Sequence, residues 1–160
     1  MKVELNSPDE YRGFFISEFA KMERSIDIYL ATYFIPDNPN VSNDLISILI
    51  DRLGFDNKRT ALKVLFDIRN ELDTSNHRKT STFKKIIDSC GELGRIRNSF
   101  AHYHSVMVTD KMKEDYGTVI GLVQFRDSVK IIWHSRDDYF KIIDKITLTR
   151  TAIEKLRKNE

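Results

Sequence analysis

A single cysteine, Cys90, in 160 residues rules out an internal disulfide, so stability must come from packing. With only four histidines, no Cys/His spacing resembles a zinc site. Also missing are a Gly-rich phosphate loop, a nucleophile elbow and a helical zinc motif, so no metal and no cofactor is expected. No apolar run approaches the roughly 18 residues of a membrane span, and the polar start MKVELNSPDEYRG lacks the apolar stretch of a secretory signal. These absences predict a cytoplasmic protein with no membrane contact. An excess of one charge is missing too: 26 Lys and Arg against 24 Asp and Glu give +2. That excludes a broad cationic field for holding nucleic acid, so any RNA contact must be local.

What remains is rich in helix signals and predicts one folded domain over residues 1–160. Ser7 is placed to cap a helix with Pro8 in its first turn, and Phe15, Phe19, Met22, Ile26, Tyr29, Leu30 and Tyr33 recur at helical steps. Pro36 and Pro39 should end it. A second helix is expected from Ser42 to Gly54, and a third from about Asn57 carrying Leu62, Leu65, Phe66 and Arg69. DTSNHRKTST reads as an exposed loop holding His77.

The fourth helix should run from about Thr82 to Tyr103, with Cys90 buried and unreactive on its apolar stripe. Its Gly91 and Gly94 would weaken it unless they admit a close neighbour, such as a helix across a dimer interface. TVIGLVQF and SVKIIWHS form the two arms of a hairpin, with Trp133 and Phe125 on its packing face and His134 in solvent. A last helix starts near Asp137. The expected fold is therefore mostly α, an up-and-down helical bundle of about five helices with a small β-hairpin before the C-terminal helix. The bundle core covers about 8–105, the hairpin about 118–135 and the final helix about 137–157.

Charged and polar groups interrupt the fourth helix near its end, at Arg97-Asn98-Ser99-Phe100-Ala101-His102. Asn98 and His102 share a face, whereas Arg97 and His102 lie about 140° apart on an ideal helix. A long Arg side chain, a distorted helix end or a two-fold partner could bring them together. Lys84, Lys85, Arg95 and Arg97 add a modest basic cluster that reads first as a solvated face.

The run IRNSFAH, preceded by a first helix bearing Met22-Glu23-Arg24-Ser25-Ile26-Asp27, resembles the R-x4-6-H signature of HEPN domains, helical bundles that often dimerise around it. The layout SPDEYRGFF, LGFDNKRTAL and GRIRNSFAH is similar to mannitol-operon-repressor-type proteins, over about residues 8–105. The resemblance to the ribonuclease members implies a homodimer that cleaves RNA without metal, with His102 and Arg97 catalytic and Asn98 orienting His102 or binding phosphate. It implies a toxin or defence role, with an antitoxin or regulatory protein as partner. Some of those members carry a tyrosine two residues after the histidine; here Tyr103 follows at once and His104 takes the second place.

Two readings stand beside this one. Arg97, Asn98 and His102 could form a hydrogen-bonded knot with Glu23 or Asp27 of the first helix, as buried polar groups require. The repressor-type likeness implies instead a non-catalytic regulatory or interaction protein, acting in transcription regulation through helix surfaces. Glu23 and Asp27, four apart, read most simply as a charged strip on the helix surface rather than a metal or acid/base pair.

Overall fold

The computed structural model describes residues 4–72, 77–125 and 129–158. Helix α1 (Pro8–Phe34) starts as its sequence dictates: the Ser7 hydroxyl accepts from the Glu10 N–H at 3.2 Å, and Pro8 supplies a preset φ. Pro39 does not end anything; it opens α2 (Pro39–Ile48) behind Asn38, whose side chain caps Val41 N–H. Ser42, expected as a helix start, instead lies inside α2 and its hydroxyl donates to Ile35 O at 2.6 Å. A 3₁₀ turn (Ile50–Arg52) follows, and Gly54 begins α3 (Phe55–Leu72) rather than ending α2, its carbonyl accepting from Asn57 and Lys58.

Helix α4 (His77–His102) starts earlier than expected, so His77 to Thr82 is helical and not loop; residues 73–76 lie outside the described residues. Beyond α4 come β1 (His104–Val106), α5 (Asp110–Tyr116), β2 (Thr118–Phe125), β3 (Val129–Ser135) and α6 (Arg136–Lys158). The expected hairpin is β2–β3, and β1 joins its other edge in an antiparallel sheet ordered β1-β2-β3. Gly117 ends α5 in the left-handed region, at φ 58°, where only glycine sits without strain. Among the described residues no helix is long and apolar enough to cross a membrane.

The helices alternate in direction, α1 and α3 pointing the same way with the short α2 between them and α4 running back, and two cores form along α1. One gathers Ile26, Tyr29 and Leu30 of α1 with Leu62, Phe66, Phe83, Cys90 and Ile153. The other gathers Tyr11, Phe15, Phe19 and Met22 with Leu93, Phe100, Ile120, Leu122 and Tyr139. Full burial of each such side chain is worth about 1.5–3 kcal/mol, so the apolar stripes set which helix faces meet. The Tyr139 hydroxyl donates to Tyr11 O at 2.7 Å, fixing the start of α6 beside the start of α1. Cys90 is fully buried, and burial pushes its thiol up to about 12.

Both α4 glycines face α3 of the same chain. A Cβ on Gly94 would come within 2.8 Å of the Phe55 ring, and one on Gly91 within 3.6 Å of the Arg59 guanidinium. The close neighbour anticipated for them is therefore intramolecular. On the sheet, Trp133 covers Gly121, its cross-strand partner, where any Cβ would collide with the indole. His134 is not in solvent: it is half-buried against Phe100, ring centroids 5.4 Å apart, and burial lowers its pKa.

Candidate functional site

The end of α4 is held by α1 and by β2. Phe100, wholly buried, stacks on Phe15 at 4.1 Å between ring centroids, which turns the rest of the motif outward. Arg12 of α1 donates through Nη2 to Ala101 O at 2.8 Å, satisfying one of the last carbonyls of α4 and setting a cation at its negative end. Just beyond, Tyr103 N–H closes on Ser99 O at 3.0 Å and the Tyr103 hydroxyl hydrogen-bonds Gln124 Oε1 at 2.6 Å. Ser105 donates to Asp9 of the first α1 turn at 3.3 Å.

That anchoring displays a polar line. Arg95, Asn98 and His102, at steps of three and four, are all exposed. His102 has no hydrogen-bond or ion-pair partner among the described residues. Arg97 is half-buried on the flank, donates to Asn98 Oδ1 at 3.4 Å and meets no carboxylate among the described residues. Arg97 and Asn98 border a cleft of about 230 Å³ whose opposite wall is Gly54, Phe55, Asp56 and Asn57. Gly54 has no side chain to cap the first turn of α3, so the positive end of that helix opens beside Arg97. Asp56, also on the cleft, pairs with Arg59 at 3.4 Å.

Within one chain the structure does not bring Arg97 and His102 to one point. Five residues of α-helix separate them by about 7.5 Å along the axis and about 140° around it. His104 is exposed on β1 opposite Val123, and the half-buried Tyr103 is committed to Gln124. Lys84 and Lys85 are exposed near the other end of α4, so they extend no basic surface from Arg97.

Glu23 and Asp27 belong to a different cluster. Lys58 Nζ sits 2.9 and 3.1 Å from the two Asp27 oxygens, donating to the second, and 3.0 Å from Glu23 Oε1. Asp27 is 3% and Lys58 4% exposed, so this is a buried ion cluster and neither a solvent-facing strip nor a knot with the motif. Burial raises the Asp27 pKa, and Lys58 holds that rise back. Burial pulls Lys58 down, yet the hydrogen bonds and charges of Asp27 and Glu23 carry it above its ordinary value. The sequence did hold a signal for this: Lys58 falls four residues before Leu62, on the apolar stripe of α3. Arg12 carried no such signal, since its partner is a backbone carbonyl 89 residues away.

Comparison of the chain with family models, curated proteins and solved structures yields no match.

Proposed function

We propose that the Arg97–His102 end of α4 is an RNA-facing surface, and that the chain is a metal-independent endoribonuclease whose site is completed by a second copy. One observation carries this reading: Asn98 and His102 stand exposed, and Arg97 meets no carboxylate among the described residues, on a helix end that Phe100 and Arg12 hold in place. An exposed imidazole and amide beside an arginine with no carboxylate partner can meet a phosphate without an internal ion pair being broken first. Since one chain holds Arg97 and His102 apart, an isologous dimer supplies the missing half, each copy offering a guanidinium to the other's imidazole.

In that site an imidazole takes the 2′-hydroxyl proton as the oxygen attacks the adjacent phosphorus, and a second imidazole protonates the departing 5′-oxygen. Arg97 and the open end of α3 stabilise the charge on the phosphoryl oxygens. The products are a 2′,3′-cyclic phosphate and a 5′-hydroxyl. Such an activity suits a toxin or defence effector covered by an antitoxin protein.

The test is cleavage of single-stranded and transfer RNA in EDTA. Wild type should leave cyclic phosphate ends, and His102→Ala and Arg97→Ala should each reduce the rate by about 100-fold or more while staying folded. Light scattering should give a dimer. A wild type inert on these RNAs, or monomeric at tens of micromolar, sinks the reading. The separation of Arg97 from His102 also favours a second one, a non-catalytic regulatory domain that docks a protein through the same exposed line; that line would then bind its partner with no RNA cleaved.

A further inference from the structure

Against the start of α1 lies a pocket of about 560 Å³, within the size range of small-molecule sites. Leu5, Pro8, Val108 and Val119 give it apolar walls, Met107 stands 81% exposed at its rim, and Lys113, Arg136 and Tyr11 bring the polar groups. No acidic residue lines it, so two cations meet an apolar hollow with nothing on its walls to neutralise them.

Arg136 is held ready. Its backbone N–H donates to Gly117 O at 2.9 Å, its Nη1 donates to the Tyr11 hydroxyl at 3.4 Å, and its guanidinium lies 5.5 Å from the centroid of the Phe140 ring. It has no carboxylate partner among the described residues. Arg136 is exposed, and a planar guanidinium steadied by a ring and a hydroxyl can grip a carboxylate with two parallel N–H bonds. Tyr11 adds a hydroxyl beside it. Its ring is buried, its hydroxyl accepts from Arg136, and the hydroxyl proton finds no acceptor among the described residues. Lys113 is partly spoken for by Asp110 at 3.1 Å, so the pocket is matched to one negative charge rather than two.

We infer that this pocket binds a small amphipathic carboxylate, its head on Arg136 and the Tyr11 hydroxyl and its apolar body against Leu5, Pro8 and Val119. The site is separate from the motif on α4 and does not depend on the RNA reading. An adaptable thioether such as Met107 at the mouth suits a ligand whose tail varies in shape.

Calorimetric titration of the full chain with octanoate, octanol and octylammonium tests it. Octanoate should bind saturably at one site per chain, and octanol and octylammonium at least about 10-fold more weakly, the scale of a lost charged hydrogen bond. Arg136→Gln should weaken octanoate by about 10-fold or more with an unchanged melting temperature, and Tyr11→Phe by a smaller factor. If Arg136→Gln fails to fold, Arg136→Lys decides, because it keeps the charge but loses the planar fork and should still weaken binding. Absence of saturable octanoate binding, equal binding of octanol, or an Arg136 variant that binds as wild type does would each overturn the proposal.

Discussion

Asp27 and Lys58 lie between α1 and α3 with almost no access to water and Glu23 is partly covered beside them, whereas Asn98 and His102 stand exposed at the end of α4 with Arg97 half-buried on its flank. In the sequence the two groups look alike, as charged residues set into amphipathic helices. In the fold they obey opposite rules. The buried cluster finds its counter-charge within the chain, at 2.9 and 3.0 Å, because an unpaired charge in the interior is prohibitive. The exposed one is left without a counter-charge, because water satisfies it. Burial thus separates charges that must be paired within the chain from polar groups that need no partner in it.

The strongest way to break this comparison is to remove Lys58. Lys58→Ala leaves Asp27 buried without its cation and should lower the unfolding free energy by about 3–5 kcal/mol in denaturant titration. Lys58→Met with Asp27→Leu, which removes the two buried charges and leaves only the partly exposed Glu23, should recover most of that loss. A Lys58→Ala protein within about 1 kcal/mol of wild type would mean that the cluster contributes little, and the contrast with the motif would fail.

Two histidines sharpen the contrast through pH. His134 lies behind the motif, against Phe100, and burial lowers its pKa while Asp138 acts weakly the other way. The unfolded chain therefore binds a proton on His134 more readily than the folded chain does. The stabilisation is complete above the ordinary imidazole value of about 6.5 and declines as pH falls from there through the lowered folded value. His134→Phe, which preserves the aromatic contact with Phe100, should flatten this part of the acid limb in melts taken between pH 7 and 5. An unchanged slope would show that His134 does not respond to its burial.

Much of the bundle was legible because helix caps and apolar periodicity are local. Ser7, Pro8 and the stripe from Phe15 to Tyr33 set α1, and the stripe through Cys90 set the buried face of α4. What was not legible depended on distant contacts. Pro39 and Gly54 carry the same chemistry whether a helix ends or begins, and only the packing of α2 and α3 on α1 decides which. Strand β1 was missed because three residues carry no periodicity, and its pairing is supplied by β2. His134 does sit at a strand end, but it read as solvent-facing because nothing local shows that Phe100 of α4 covers it. The motif itself was visible as an interruption of an apolar helix. Its partners were not, because the cation that takes Glu23 and Asp27 sits on α3 and the arginine that caps α4 sits on α1.

The smallest expected effect is the most diagnostic for the α4 end. Asn98→Ala and His102→Ala remove side chains that are exposed, and His102 has no internal partner among the described residues, so neither change strands a buried group. Substitutions of that kind fall within about 0.5 kcal/mol of wild type. Asn98→Ala loses only the 3.4 Å contact with Arg97, a long and exposed hydrogen bond. Denaturant midpoints for both variants should therefore overlay the wild-type curve, with the slope unchanged. A loss of about 1–3 kcal/mol in His102→Ala would show that the imidazole is buried in the protein as it exists in solution, against a second copy of the chain or another part of its own. That outcome would make the motif part of a packed interface and favour the proposed non-catalytic reading over the proposed RNA site.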